Sequence, residues 1–148
     1  MQTTPALALG IVLIGGMMIA FQAPINAMLG RGIGSALGAA AVSFLVGTVA
    51  LVALVLLRGE GGAFLRIDSI RPWLLIGGML GAFYVWAALW AVPVLGALTT
   101  MSAVIFGQLL AALVIDQFGL LGLPVREIGL TRIAAAALVA AGLVLSRY

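Results

Sequence analysis

Two polar amide side chains interrupt a long apolar segment of the sequence. Gln22 and Asn26 are four residues apart in GIVLIGGMMIAFQAPINAMLG, residues 10–30, so they share one face of a helix with 3.6 residues per turn. An unpaired amide in hydrocarbon costs roughly a few kcal/mol. We therefore expect both amides to face a polar interior. They either contact a neutral, zwitterionic or amphipathic solute or hold helices together by hydrogen bonds.

Asp116 is the acidic residue with the strongest case for chemistry, because it lies near the end of a long apolar run, residues 97–118. A carboxylate at the C-terminal end of a helix opposes the helix dipole and needs a positively charged partner. Arg126 or Arg132, after the next link, could supply that partner. A salt bridge is one interpretation of Asp116, and coupling of proton movement to transport is the other.

Two more polar side chains lie inside apolar runs. Tyr84 shares a helical face with the small residues Gly81 and Ala88, and Gln108 lies near the middle of residues 97–118. Small residues mark the faces at which membrane helices meet, so the face that carries Tyr84 should look inward. We therefore add both side chains to the two amides of the first run as candidate substrate-binding residues.

The composition excludes a soluble protein. Of 148 residues, 65% are hydrophobic and 7% are charged, and the mean hydropathy is +1.34. A soluble domain of this size would have too few polar side chains to cover its surface. The sequence therefore predicts an integral membrane protein that is surrounded by the lipid bilayer.

The residue types that are missing narrow the chemistry further. Cysteine and histidine are absent, which removes disulfides, thiol catalysis, the usual zinc and haem ligands and histidine proton relays. The sequence offers no close pair of acidic residues for a catalytic dyad. We therefore expect no enzyme, no cofactor and no metal site. The net charge of +3 lies between the apolar runs, so it indicates topology and not nucleic-acid binding.

Five apolar runs reach the length of about 20 residues that a membrane-spanning helix needs. The first is not preceded by a basic stretch, so we expect a retained helix and not a cleaved signal peptide. Between the second and third runs, Phe64, Ile67 and Ile70 recur at every third position, which predicts a short turn on the membrane surface. We predict an all-α, polytopic membrane protein with one domain, residues 1–148, and helices at about 5–28, 34–57, 72–92, 97–118 and 129–146.

Small residues at four-residue spacing predict where these helices pack against one another. On the third helix, Phe83 and Trp90 lie on the face opposite Tyr84, so we expect them to face lipid or the membrane interface. The glycines that we expect at helix contacts are Gly16, Gly47, Gly77, Gly81 and Gly107.

The distribution of arginine predicts the orientation. Five crossings place the two termini on opposite sides of the membrane, and most arginines fall on the N-terminal side. By the positive-inside rule, the N-terminus is then cytoplasmic. The N-terminal side collects Arg58, Arg66, Arg71, Arg126 and Arg132, and the other side collects Arg31 and Arg147.

An odd number of crossings also has a consequence for assembly. A second copy that is inserted upside down would create an inverted repeat, which is a common basis for alternating access around a site at the membrane midplane. One copy has too few helices to surround a cavity, so we expect a dimer, with an antiparallel homodimer favoured. A heterodimer with a paralogous chain is the alternative, because the arginine bias favours one fixed orientation.

Five sequence runs carry a resemblance to a known family. They are similar to the YdcZ-like family of small five-helix membrane proteins, which belongs to the drug/metabolite transporter superfamily. The resemblance implies a bacterial inner-membrane location, an exporter-like role and a half-transporter unit, and it carries over Gln22, Asn26, Gln108 and Asp116 as matching positions. The runs are AFQAPINAMLG, SFLVGT, GGMLGAFYV, VPVLGALTT and GQLLAALVIDQFGLLG.

The chain is also similar in size to the small multidrug resistance transporters, but it departs from their pattern. Those proteins are four-helix antiparallel dimers with a glutamate in their first helix, whereas this chain has amides there. We therefore expect an exporter of a small or amphipathic molecule that works as an antiparallel dimer by alternating access. The alternative is an accessory membrane subunit that is active only with a paralogous partner.

Overall fold

The computed structural model describes residues 4–148, and helices dominate them. Each of the five predicted runs overlaps one α-helix, and the described residues contain no strand. The connections include three 3₁₀-helices, at Gly61–Ser69, Pro72–Leu75 and Leu120–Gly122. The all-helical prediction is confirmed. The α-helices are α1 (Pro5–Ile33), α2 (Ala36–Leu57), α3 (Ile76–Leu95), α4 (Ala97–Phe118) and α5 (Leu130–Leu145).

Four helical segments within residues 4–148 are long and apolar enough to cross a membrane: Pro5–Ile33, Ala36–Leu57, Pro72–Leu95 and Ala97–Phe118. The third combines the 3₁₀ turn that starts at Pro72 with α3. The helix α5 has only 16 residues, which is about 24 Å of helix against about 30 Å of hydrocarbon. The prediction of five membrane-spanning helices is therefore confirmed in part.

The first helix is longer than predicted, because it continues past position 28 to Ile33. Gly30 and Gly32 do not break it, and Arg31 lies in its last turn, where a positive charge is favourable. The helix ends at Gly34, whose φ of 72° lies in the left-handed region that suits glycine. The helix α2 begins almost at once, since the Oγ of Ser35 accepts a hydrogen bond from the Gly38 N–H at 2.9 Å.

The chain divides into two compact units, residues up to Trp90 and residues 91–148. In the first unit, α1 and α2 form an antiparallel helical hairpin whose buried residues lie in the halves next to the turn. An added Cβ on Gly30 would lie 3.4 Å from the Ala36 Cα and 3.6 Å from the Leu89 side chain of α3. Gly30 therefore lets three helices approach one another closely.

The second unit contains α4 and α5, which run antiparallel with polar contacts at both ends of the pair. At one end, the Thr99 hydroxyl donates to the Ser146 carbonyl at 2.8 Å. At the other end, Arg132 pairs with Asp116. These contacts tie the ends of α5 to positions about 26 Å apart along α4.

Candidate functional site

The candidate site is a polar cluster of Gln22, Asn26 and Ser43 between α1 and α2. The Asn26 Nδ2 donates to the Ser43 Oγ at 3.1 Å, and the Gln22 Nε2 donates to the same oxygen at 3.5 Å. Both amides project from one face of α1, as their spacing predicts. They therefore meet the neighbouring helix and do not point away from the protein.

The cluster places polar groups in a contact between α1 and α2 that otherwise consists of alanine and glycine. Asn26 is only 5% exposed and lies between the buried residues Ala23 and Ala27. Pro24 lies inside α1 between the two amides. It has no N–H, so the carbonyl of Ala20 loses its usual helical partner. Amide, hydroxyl and backbone carbonyl groups are thus concentrated within about one and a half turns of a helix of membrane-spanning length.

The cluster can recognise a solute without contributing a charge. A serine oxygen that accepts two hydrogen bonds still has its own proton to donate, and each amide keeps a carbonyl oxygen as an acceptor. Gln22 and Ser43 are both partly exposed, so they remain accessible from outside the helix pair. This set of donors and acceptors suits a neutral or zwitterionic group.

The other two predicted substrate ligands lie on other helices. Tyr84 lies on α3 in the first unit and is partly exposed, next to the buried Val85. Gln108 lies on α4 in the second unit and is exposed. On α3, Phe83 and Trp90 are 66% and 61% exposed, which agrees with the expectation that their side chains face lipid.

The predicted packing glycines divide into two groups. An added Cβ on Gly81 would lie 3.6 Å from the Phe44 ring of α2, so Gly81 is a helix contact within the chain. For the other four, no heavy atom of another part of residues 4–148 lies within 4 Å of that position. None of these four therefore contacts another helix within its own unit, and their role in helix packing stays a prediction. They are Gly16, Gly47, Gly77 and Gly107.

The partner of Asp116 is Arg132. The Arg132 guanidinium donates to the Asp116 Oδ2 at 2.9 Å, and the two side chains are 31% and 29% exposed. Arg126, the other candidate, contacts Asp116 through the backbone, because its N–H donates to the Asp116 carbonyl at 2.8 Å. This contact has the geometry of a salt bridge, and the choice between a structural and a coupling role stays a prediction.

The link after α4 folds back on the helix end, which accounts for the run IDQFGLLG. The Gln117 Oε1 accepts a hydrogen bond from the Ile128 N–H at 2.7 Å. Gly119 caps the helix with a φ of 58°, and an added Cβ there would lie 2.8 Å from the Val125 side chain. This folded link brings the start of α5, and with it Arg132, back to Asp116.

Three polar side chains with structural roles were not expected from the sequence. Ser43 was not singled out from the sequence as a site residue, but its Oγ is the oxygen that both amides of α1 contact. The feature of the sequence that could have identified Ser43 is a hydroxyl on the helix that follows the two amides. Gln117 and Thr99 bond backbone groups 11 and 47 residues away, and such partners cannot be read from spacing along one helix.

Two grooves lie along the contact between α4 and α5. The larger, about 480 Å³, lies near Ser102 on α4 and Gly142 on α5. The smaller, about 200 Å³, is bordered by Asp116 and Arg132. Among residues 4–148, no group of three or more histidine, cysteine, aspartate or glutamate side chains comes together in a way that could hold a metal ion.

Comparison with known proteins agrees with this architecture. The family model "Putative inner membrane exporter, YdcZ" matches residues 7–145. The chain is also 35% identical over 85 residues to the inner membrane protein YdcZ of Escherichia coli K12, and that segment covers 57% of each chain. No solved structure matches the chain. The chain is therefore a multi-pass inner-membrane protein that belongs to the YdcZ family.

Proposed function

We propose that this chain is one half of an exporter for a small or amphipathic molecule and that the cluster of Gln22, Asn26 and Ser43 binds the substrate. The observation that carries the proposal is the convergence of both α1 amides on one serine of α2. Interhelical bonds of this kind contribute only about 0.6 kcal/mol each on average. This gain in stability is small compared with the cost of placing two amides in hydrocarbon. Binding of a solute, in contrast, requires hydrogen-bond donors and acceptors at this position.

The absence of a charged side chain in the cluster favours a neutral or zwitterionic substrate. The small multidrug resistance transporters, which resemble this chain in size, have a glutamate in their first helix. Here the corresponding helix carries amides, and we propose that it does not bind a cation by charge. Tyr84 and Gln108 complete the proposed set of substrate ligands on the basis of the sequence.

We also propose that the working transporter is an antiparallel dimer of five-helix units, with alternating access by rocking of one copy against the other. Two observations support five crossings and a second copy. The ends of α5 are tied to the two ends of α4, so α5 extends to nearly the same depth despite its length. The amide of Gln108 is exposed near the middle of α4, where a partner chain or a substrate would satisfy it.

A tolerance screen with an amphipathic compound library tests the site. Cells that express the wild-type chain should tolerate a subset of neutral or zwitterionic compounds, and Asn26→Leu or Gln22→Leu should abolish that tolerance at unchanged membrane expression. Met28→Leu is the matched control, because Met28 is 63% exposed on the same helix. If both amide variants protect cells as well as the wild type, the amides are only structural.

A further inference from the structure

The smaller groove between α4 and α5 combines a charged end with an apolar lining. Its volume is about 200 Å³, and Asp116 and Arg132 border it. The lining residues of α4 precede Asp116 by three to seven positions, which places them about 4.5–10.5 Å deeper along the helix. The remaining lining residues are Leu109, Ala112, Leu113 and Ala135.

The charges of this pair do not stabilise their own helices. Asp116 is two residues from the C-terminal end of α4, and Arg132 is the third residue of α5. A negative charge at a helix C-terminus and a positive charge at a helix N-terminus both oppose the helix dipole. The side chains therefore compensate each other, and any ligand with complementary charges would stabilise both.

The pair also keeps unused bonding capacity. One guanidinium nitrogen contacts one carboxylate oxygen, and about a third of each side chain is exposed. A guanidinium has five N–H donors and a carboxylate accepts about four hydrogen bonds. An ammonium group can therefore bind to Asp116 while a phosphate binds to Arg132, without the pair separating.

We propose that this groove binds a bilayer phospholipid whose zwitterionic head group carries a primary amine, of the phosphatidylethanolamine type. The ammonium group contacts Asp116, the phosphate contacts Arg132, and an acyl chain lies in the apolar groove toward the bilayer centre. A phosphatidylcholine head group has no N–H to donate to Asp116. An anionic head group such as phosphatidylglycerol would place its charge beside that carboxylate.

Fluorescence quenching by brominated lipids tests the proposal. Because the chain has no cysteine, Ala112→Cys can carry a single bimane label inside the groove. Leu110→Cys is the control, since Leu110 is 45% exposed and lies at a similar depth about 160° round α4. Both variants are reconstituted in vesicles that contain phosphatidylethanolamine, phosphatidylcholine or phosphatidylglycerol with brominated acyl chains.

At position 112 we expect brominated phosphatidylethanolamine to quench at about one third of the concentration that the other two lipids require, as for a partly exposed ion pair. The label at position 110 should show no preference. The double substitution Asp116→Asn/Arg132→Gln leaves no unpaired charge and should erase the preference at position 112. Equal quenching by the three lipids, a preference for phosphatidylglycerol, or a preference retained in the double variant would overturn the proposal.

A second measurement does not depend on the folding of any variant. The unmodified chain is mixed in detergent with equal amounts of the three lipids and examined by native mass spectrometry. One phosphatidylethanolamine should stay bound at energies that strip the other two. Equal loss of all three lipids would contradict the proposal.

Discussion

The Nδ2 of Asn26 lies 3.1 Å from the Oγ of Ser43, and the other buried residues of α1 and α2 are alanine and glycine. Gln22 reaches the same oxygen at 3.5 Å, at the outer limit of a hydrogen bond. The two amides are thus held unequally, because Asn26 is buried and fixed and Gln22 is partly exposed and loosely bound. A substrate that competes for this serine would displace Gln22 first.

The first prediction concerns the stability of the hairpin. Ser43→Ala removes the oxygen that both amides contact, and we expect it to lower the free energy of unfolding by about 1 kcal/mol, near the sum of two interhelical bonds. Titration of the purified protein in mild detergent with sodium dodecyl sulfate measures this loss. Thr48→Val also removes a hydroxyl from α2, but at an exposed position, and should change stability less. Equal losses would show that the hydroxyl of Ser43 contributes nothing special.

The second prediction separates packing within the chain from packing between copies. Gly30→Leu adds a side chain where three helices meet, and we expect it to destabilise the monomer by about 1–3 kcal/mol. Gly107→Leu points into open space and should leave the monomer folded but weaken the proposed dimer. Thermal unfolding and cross-linking in native membranes measure the two effects. A Gly107→Leu variant that still cross-links fully would exclude Gly107 from the dimer contact.

The fold was predictable from the sequence where one physical rule decides the outcome. A long apolar run in a membrane protein favours a helix, because a helix satisfies its backbone hydrogen bonds within the segment, and the positions of the runs follow from composition. The length of α1 was underestimated, because the predicted link around Arg31 and Gly32 is helical up to the left-handed Gly34. Single glycines lower helix propensity without ending a helix, so sequence alone does not choose among them.

The candidate site was predictable on one helix at a time and not between helices. The spacing of Gln22 and Asn26 put both amides on one face, but it did not identify the serine that they contact. For Asp116 the helix dipole predicted a positively charged partner, yet Arg126 and Arg132 both remained candidates. The conformation of the link after α4 selects Arg132, and no residue spacing encodes that conformation.

The third prediction concerns the link that returns α5 to α4. Gly122 has a φ of 81°, and an added Cβ there would lie more than 4 Å from any heavy atom of the described residues. We therefore expect Gly122→Ala to lower the free energy of unfolding by about 1 kcal/mol, from backbone strain alone. Gly119→Ala combines a φ of 58° with an added Cβ 2.8 Å from Val125 and 3.0 Å from the Leu123 carbonyl. Its loss should reach about 3 kcal/mol in the same detergent titration. If the two variants lose equal unfolding free energy, the close contact of residue 119 with Val125 does not contribute to the loss.

The fourth prediction addresses the value of the ion pair to the fold. Asp116→Asn and Arg132→Gln should each destabilise the protein slightly, and the double variant should lose less than the sum of the two. Since both side chains are about 30% exposed, we expect a coupling energy of about 1 kcal/mol or less. A double-mutant cycle of unfolding free energies measures the coupling, which should fall as salt concentration rises. If the loss of the double variant equals the sum of the two single losses, the interaction between the two charges adds no stability.

The last prediction tests orientation, on which the antiparallel homodimer depends. Gly32 lies in the last turn of α1, and Ser69 lies in the link between α2 and α3. Both residues are exposed, and they lie on opposite sides of the membrane if α2 spans it. Each is replaced by cysteine in a separate variant, Gly32→Cys and Ser69→Cys. A membrane-impermeant maleimide is added to intact cells, and the labelled fraction is compared with that in opened membranes. An antiparallel homodimer has one copy in each orientation, so both variants should label in part and to a similar extent. Labelling at position 32 alone means one fixed orientation, which contradicts the homodimer and makes a paralogous partner necessary for an inverted pair. Labelling at position 69 alone would show that the N-terminus is outside, against the positive-inside rule.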